Sequence, residues 1–174
     1  ETPNAIFRDS LGARPVMSSP LDVLPLLDDI KNQQREHFLC LYLNARNQVI
    51  YKEVVSIGSL SSSILHPREV FQPGVSHVAA SVVFAHNHPS GDVSPSQGDT
   101  DLTRRLVQAG EIMGIDVLDH LIIGADDFLS LQDRRLLLGC FARGENYCFY
   151  AVNAYIMVDE IIGATGPFTQ VHGR

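Results

Sequence analysis

Residues 81–99 read SVVFAHNHPSGDVSPSQGD, and this stretch predicts the centre of the fold. Residues 82–85 are apolar and rich in β-branched side chains, which indicates a short buried strand. His86 and His88 follow it two positions apart, so on a strand they share one face. Proline and glycine then turn the chain, and a helical period begins. We therefore expect a strand, a tight connection and a returning helix whose first turn carries Asp99 back toward the strand end.

The helix that follows the turn has its own signals. Apolar residues recur at intervals of four, three and four, at Leu102, Leu106, Ala109 and Met113. Gly114 comes next as a plausible C-cap. Ser96 and Asp99 have the spacing of a capping box, with Asp in place of the usual Glu or Gln. This pair could therefore simply start the helix, and that structural interpretation stays open beside a functional one.

The functional interpretation is a metal site. Two imidazoles and one carboxylate, from His86, His88 and Asp99, form a three-ligand set that leaves a fourth tetrahedral position for water. That arrangement is typical of catalytic zinc, because structural zinc sites are usually closed by four protein ligands. The three residue types occur together after a buried strand, which favours a shared Zn²⁺ site over three separate structural roles.

A zinc hydrolase also needs a group that takes a proton from water, usually a glutamate. Glu36 directly precedes the strand predicted at 38–43, so it lies at a strand mouth, although it could be ordinary surface charge. Glu53 lies in the strand predicted at 48–57 and shares its alternation parity with Val49, Tyr51, Val55 and Ile57. A carboxylate on such an apolar face is costly unless partnered, although an edge strand could turn it to solvent. From the residues alone, Glu53 is slightly favoured.

Composition limits the class of protein. The chain has 174 residues, 45% of them hydrophobic, which suits one domain with a sizeable core. The formal net charge of −7 gives no overall preference for phosphate backbones, so a nucleic-acid partner is possible but not favoured. Three widely spaced cysteines (Cys40, Cys140 and Cys148) form no disulfide framework and favour a reducing cytoplasm. No apolar run has membrane length, and no feature indicates an oligomeric state.

Three segments are expected along the chain. Residues 1–18 are polar and contain prolines, which predicts a flexible N-terminal arm. Residues 19–138 form the expected domain, and residues 139–174 are an unassigned C-terminal extension. Within the domain the pattern predicts a helix at 19–34, a hairpin from strands at 38–43 and 48–57, a helix from Pro67, a strand at 115–123 and a closing segment at 129–138. Pro73 and Gly74 are expected to bend or interrupt the Pro67 helix.

Several phrases of this chain resemble a known family. The spacing of His86, His88, Ser96 and Asp99 is similar to the JAMM (MPN-plus) metalloprotease motif. Four short sequence segments resemble the RadC branch of that family: REHF at 35–38, HPREVF at 66–71, HNHPSG at 86–91 and DHLIIG at 119–124. The resemblance runs from about residue 19 to residue 138.

The resemblance implies a fold and a chemistry. The fold is an α/β (α+β) domain of JAMM/MPN type, a curved mixed β-sheet flanked by helices, with zinc at a strand–helix junction. The implied activity is zinc-dependent hydrolysis of a peptide or isopeptide amide bond in a peptide or protein substrate. In this family the catalytic glutamate lies just before the first strand of the fold, which favours Glu36 over Glu53, and Ser96 matches the serine that steadies the oxyanion. Asp119 and His120 receive no role beyond strand-end structure or support of the metal ligands.

Two other functions compete with hydrolysis. A DNA-repair or nucleic-acid accessory role has long been attached to the RadC name, but the acidic balance and the lack of a helix-hairpin-helix region disfavour it. A metal-binding scaffold without turnover is the other alternative. The contiguous letters His-Asn-His do not indicate an HNH nuclease, whose motif residues belong to separate elements. A zinc deaminase is disfavoured because neither His-x-Glu nor Pro-Cys-x-x-Cys occurs.

Overall fold

The computed structural model describes residues 14–58 and 65–137. The elements in chain order are α1 Pro20–Val23, a 3₁₀ turn Leu24–Leu26, α2 Asp28–Lys31, β1 His37–Leu43, β2 Val49–Ile57, α3 Pro67–Ser76, β3 Ser81–Asn87, α4 Gln97–Met113, β4 Asp116–Ile123 and β5 Phe128–Ser130. The strands form one open sheet in the order β2-β1-β3-β4-β5. Only the β3–β4 pair is parallel among these strands, and α4 is its crossover helix. The mixed sheet flanked by helices is confirmed.

The two faces of the sheet bury different sets of side chains. Alternate residues of β1 point to opposite faces, as strand geometry requires. The face toward α3 and α4 carries Phe38, Cys40, Tyr42, Val82 and Phe84. The face toward α1 and α2 carries Leu39, Leu41, Leu43, Val83 and Ala85. The central strands β1 and β3 are therefore buried on both sides, and the end of β3 emerges from the middle of the core.

Both helices that contain an internal proline depart from prediction. The helix predicted at 19–34 is wrong as one element, because Pro25 cannot donate a backbone hydrogen bond and the chain tightens into a 3₁₀ turn there. Pro73 and Gly74 were expected to bend or interrupt the next helix, and an interruption is wrong because α3 continues to Ser76. Packing holds this helix: the Tyr42 hydroxyl donates to the carbonyl of Val70 at 2.5 Å. A Cβ on Gly74 would lie 3.1 Å from the Tyr42 ring.

The end of the predicted N-terminal arm packs on the domain. Val16 forms an isolated antiparallel bridge with Gln48, and the N–H of Met17 donates to the carbonyl of Asn47 at 2.8 Å. The side chain of Met17 is 1% exposed and contributes to the core on the α1–α2 side. Residues 1–13 of that arm and the predicted extension at 139–174 lie outside the described residues.

Helix α4 returns the chain from the end of β3 to the start of β4. Ser96 is its N-cap, and Gly114 is its C-cap in the left-handed conformation with φ 69°, so both predicted caps are confirmed. Gly110 lets the helix approach the sheet, because an added Cβ would lie only 2.5 Å from the Ile115 carbonyl. Within residues 14–58 and 65–137, no helix is long and apolar enough to cross a membrane.

Candidate metal centre

The candidate ligands come from the end of β3 and the first turn of α4. His86 continues the α4-facing side of β3 and is completely buried. His88 lies one residue beyond the strand, where its N–H donates to the carbonyl of Ile123 at 2.8 Å and extends the pairing with β4. Asp99, 4% exposed, comes back from α4 to meet both rings. The strand–turn–helix predicted from residues 81–99 therefore brings the three side chains together.

The separations from the carboxylate oxygens to the two imidazoles match those around a tetrahedrally coordinated ion, and the separation between the two imidazole nitrogens is somewhat shorter. The Nε2 atoms of His86 and His88 are 2.9 Å apart. Asp99 Oδ1 is 3.4 Å from the Nε2 of His86, and its Oδ2 is 3.5 Å from the Nε2 of His88. Ligands 2.0–2.1 Å from zinc at tetrahedral angles lie about 3.3 Å from one another. These residues therefore fit a divalent ion bound through two imidazole nitrogens and a carboxylate.

The hydrogen bond of His88 determines its tautomer. Its Nδ1 lies 2.5 Å from the carbonyl oxygen of Asp92. A carbonyl can only accept, so Nδ1 carries the proton of the neutral ring and Nε2 keeps its lone pair. The turn after the strand thus leaves the Nε2 lone pair of His88 available to a metal.

Asp99 is both a helix cap and a candidate ligand. Its Oδ2 accepts from the Ser96 N–H at 2.8 Å and from the Ser96 hydroxyl at 2.7 Å, while its own N–H donates to Ser96 Oγ at 3.1 Å. The capping-box interpretation is therefore confirmed. It does not compete with the metal interpretation, because Oδ1 is turned to His86 and the cap bonds hold the carboxylate in that orientation.

Burial keeps His86 and its neighbour neutral. Loss of hydration lowers the pKa of His86 to about 4, with the charge of Asp99 opposing the shift and that of His88 adding to it. Burial likewise holds the pKa of His120 well below its ordinary value. A histidine must be unprotonated at the nitrogen that binds a metal, so the pKa of His86 leaves it available as a ligand at neutral pH.

Two buried side chains are connected to His86 by hydrogen bonds on the side away from the candidate ligand cluster. The Nδ1 of His86 lies 2.7 Å from the Nε2 of His120, whose Nδ1 lies 2.6 Å from the Thr103 hydroxyl. That hydroxyl donates to the backbone carbonyl of Asp99 at 2.6 Å. Sequence reasoning gave His120 no definite role and missed Thr103. The available signals were a histidine inside an apolar strand and a threonine one helical turn after Asp99.

Asp119, the neighbour of His120 in the sequence, has a structural role. Its carboxylate is fully buried and accepts from the N–H of His120 at 2.7 Å, from the hydroxyl of Ser130 at 2.7 Å and from the N–H of Gln132 at 3.1 Å. These bonds attach β5 and the following turn to β4. The strand-end role expected for Asp119 therefore describes what its contacts do.

A family model described as a RadC-like JAB domain matches residues 17–136, more than half of the chain. This chain belongs to the RadC-like JAB domain family. The resemblance noted in the sequence to the RadC branch is thereby confirmed, and the JAMM-like motif is consistent with it.

Relatives of this RadC-like JAB domain include several bacterial proteins named UPF0758 protein. One from Desulforamulus reducens is 51% identical over 125 residues, which are 71% of this chain and 55% of the relative. One from Shouchella clausii is 51% identical over 130 residues, covering 74% and 56% of the two proteins. One from Bacillus velezensis is 48% identical over 138 residues, covering 79% and 60%. The chain thus spans little more than half the length of these curated relatives, and their names state no reaction.

In this RadC-like JAB domain, Asn87 ties the start of β1 to the end of β3. Its side chain is fully buried and accepts from the N–H of His37 at 2.7 Å. Its amide NH₂ donates to the carbonyls of Gln33 and Arg35, both at 3.0 Å. These three contacts lie on either side of Glu36 in the sequence, so the residue between the two candidate ligand histidines holds the segment that carries Glu36.

Glu36 itself is half-buried and directly precedes β1. Its backbone carbonyl accepts from the N–H of Gly58 at 2.8 Å, which holds it to the end of β2. In the antiparallel register of β1 and β3, Phe38 is opposite His86. Two residues toward the N-terminus of β1 correspond to two residues toward the C-terminus of β3, so Glu36 lies at the same end of the sheet as His88.

Glu53 lies in a different part of the RadC-like sheet. It is half-buried in β2 opposite Cys40, which is in turn opposite Phe84 of β3. Two strand spacings, about 9.6 Å, therefore separate Glu53 from the strand that carries the candidate ligand histidines. The predicted parity of β2 is wrong at both ends of the strand. Register shifts next to Tyr42 and Phe38 move Val49 and Ile57 to the face of the sheet opposite Glu53.

Proposed function

We propose that this domain is a zinc-dependent hydrolase of the JAMM type, in which an activated water attacks a peptide or isopeptide amide bond. The observation that carries the proposal is the convergence of His86, His88 and Asp99 at one strand–helix junction. Three protein ligands leave a fourth position for water or substrate. Zinc held by such a set lowers the pKa of a bound water to near 7 and polarises a carbonyl oxygen.

Glu36 is proposed as the general base. Its carboxylate takes the proton from the attacking water and later gives a proton to the leaving amine nitrogen. Two observations support this choice over Glu53: the register of β1 and β3, and the Asn87 contacts on either side of Glu36. A base must come within hydrogen-bond reach of the water in the substrate complex, and a short segment held at the end of β3 is suited to that task.

Ser96 is proposed to donate a hydrogen bond to the oxyanion that develops on the substrate carbonyl. In the observed structure the hydroxyl donates to Asp99 Oδ2, so it has to rotate in order to reach a substrate. The backbone N–H of Ser96 also donates to that oxygen at 2.8 Å. The carboxylate therefore keeps one cap bond when the hydroxyl turns away.

A peptide or protein is the substrate class that the charge of the chain favours. The formal net charge is −7, whereas a nuclease gains from a positive surface that attracts phosphate. A metal-activated water can attack a carbonyl or a phosphoryl group, so the ligands alone do not select the bond and the charge of the chain carries this choice. We therefore propose amide rather than phosphodiester hydrolysis.

The test is a substrate panel with matched variants. Extended peptides, ubiquitin-like conjugates, and single- and double-stranded DNA are incubated with zinc-loaded wild type and with Glu36→Gln. The expected result is cleavage of an amide substrate by wild type alone. Zinc-dependent DNA cleavage that Glu36→Gln abolishes, with every amide intact, would support the nucleic-acid role instead. Full zinc occupancy with no turnover on any substrate would support the scaffold.

A further inference from the structure

Hydrogen bonds connect His86 to His120, then to Thr103 and then to the backbone carbonyl of Asp99. The donor and acceptor of each bond in this hydrogen-bond chain can be assigned from the Asp99 end. The Asp99 carbonyl can only accept, so the single hydroxyl proton of Thr103 points to it. The Thr103 oxygen, 2.6 Å from the ring of His120, must then accept from Nδ1–H of that ring. A neutral His120 has its lone pair on Nε2, which accepts from Nδ1–H of His86. The Nε2 of His86 is left bare and faces Asp99.

The opposite direction breaks a contact. If His86 carried its proton on Nε2, the Nδ1 of His120 would have to accept from the Thr103 hydroxyl. That hydroxyl could then no longer donate to Asp99, and two oxygens 2.6 Å apart would face each other without a hydrogen between them. The opposite direction would also form a bond from the Nε2–H of His86 to the Nε2 of His88, which are 2.9 Å apart. The first direction keeps every contact between His86, His120, Thr103 and the backbone carbonyl of Asp99. A metal ion bound by both Nε2 atoms replaces the one contact that this direction gives up.

We infer that His120 and Thr103 are positioning residues, which fix the tautomer of His86 so that its Nε2 is presented to the metal. This inference rests on the metal site of the proposed function. His88 needs no such help, because a backbone carbonyl determines its tautomer directly. His86 is different, since its partner is another histidine that can donate or accept. Which of the two rings donates in that contact is determined by Thr103, the next side chain in the hydrogen-bond chain after His120.

Burial and aromatic neighbours hold the hydrogen-bonded side chains in place. His120 is fully buried, and its ring meets Phe38 and Phe84 edge-on with centroid separations of 5.5 and 6.0 Å. Thr103 is 2% exposed, so bulk water does not compete with its hydroxyl for these hydrogen bonds. The chain also joins two ligands, because it begins at the ring of His86 and ends at the backbone of Asp99. A shift of α4 against β4 would therefore be transmitted to both.

The assigned tautomers leave a cluster of atoms that can accept hydrogen bonds but cannot donate them. With both rings protonated on Nδ1, the two Nε2 lone pairs are 2.9 Å apart and the Asp99 carboxylate is within 3.5 Å of each. Such a set repels itself unless a cation lies among the three groups. Metal-ligating histidines usually donate their other N–H to a neighbour, and loss of that partner weakens metal binding about 10–100-fold.

The first test reads the tautomers directly. Protein with ¹⁵N-labelled histidine is examined by long-range ¹H–¹⁵N NMR, without metal and with zinc, and the two ring nitrogens of each histidine are assigned. The expected result is that His86 and His120 are protonated on Nδ1 in both samples. A metal-free protein in which His86 is mainly protonated on Nε2 would overturn the inference. This readout holds even if the protein hydrolyses nothing.

The second test measures zinc affinity by competition with a chelator. Thr103→Val keeps the shape and removes the hydroxyl, and it is expected to weaken zinc binding about 10-fold or more and to mix the His86 tautomers. The matched control is Thr100→Val on the same helix, where the lost hydroxyl donates only to backbone carbonyls of the first turn, at 2.8 Å for Gln97. Unchanged affinity and tautomers in Thr103→Val would contradict the inference.

Substitutions at His120 distinguish hydrogen bonding to His86 from a purely packing role of the ring. His120→Phe suits the aromatic surroundings but offers no acceptor to His86, so zinc binding should fall about 10–100-fold. His120→Gln restores an acceptor oxygen and should recover much of that loss. Equal affinity in both variants would contradict the inference. If wild type takes up no zinc, the proposed function fails, and the tautomers of the metal-free protein still decide the role of His120.

Discussion

The side-chain carbonyl of Asn87 accepts a hydrogen bond from the backbone N–H of His37 at 2.7 Å and so joins residues 50 positions apart in the sequence. Asn87 lies between the two candidate ligand histidines but points to the opposite face of β3, where its amide also reaches the carbonyls of Gln33 and Arg35. The end of β3 therefore presents the candidate ligands on one face and holds the segment with the proposed base on the other.

Asn87→Asp should separate these two tasks. The carboxylate still accepts from His37 but faces two carbonyls with no proton to donate, so we expect a loss of about 1–3 kcal/mol in the free energy of unfolding. Zinc affinity should change little, whereas hydrolysis should fall because the segment with Glu36 is released. Urea unfolding, zinc titration and turnover measure the three effects. Asn32→Asp, at an exposed position of the same connection, is the control, and equal behaviour of the two variants would contradict the role of Asn87.

Glu36→Gln should bind zinc like wild type and lose hydrolysis, by about 10²–10⁴-fold, because it preserves shape and removes basicity. Glu53→Gln is the matched control on β2 and should retain both properties. Metal content and turnover of the two variants are measured side by side. If Glu53→Gln were inactive and Glu36→Gln active, the assignment of the base would be reversed.

Ser96 can be tested because its two roles respond differently to glycine. Ser96→Ala removes a helix cap and should cost about 1 kcal/mol of stability, whereas Ser96→Gly should cost only a few tenths. If the hydroxyl steadies the oxyanion, both variants lose about 10²–10³-fold in turnover despite their different stabilities. A Ser96→Gly variant with wild-type turnover would leave this residue as a cap alone.

Gly124 permits the close approach of β4 to the turn that follows His88. A Cβ at this position would lie 2.7 Å from the carbonyl oxygen of Gly91 and 3.2 Å from Val93. Gly124→Ala should therefore displace the turn, lower the free energy of unfolding by about 1–3 kcal/mol and weaken zinc binding. Gly98→Ala is the control, since its Cβ would meet only Ser96 Oγ at 3.5 Å. Thermal unfolding and zinc titration distinguish them, and wild-type zinc affinity in Gly124→Ala would show that the turn adapts.

The parts of this domain that sequence predicts are those that local patterns specify. Residues 81–99 contain the strand, the turn and the capped helix, so the meeting of His86, His88 and Asp99 follows from one continuous segment. The contact of His86 with His120 spans 34 residues and depends on how β3 and β4 pair, which no local pattern specifies. The orientation of Val49 depends on a register shift, which the alternation rule does not anticipate.

The metal content of the purified protein tests the central claim most directly. Wild type prepared without chelator and measured by inductively coupled plasma mass spectrometry should carry about one zinc per chain. His88→Ala should lose most of that zinc and keep its fold by circular dichroism, because His88 lies at the rim of the core, whereas His66→Ala at an exposed position should remain loaded. A wild-type protein that carries no metal and takes up no added zinc would contradict the account.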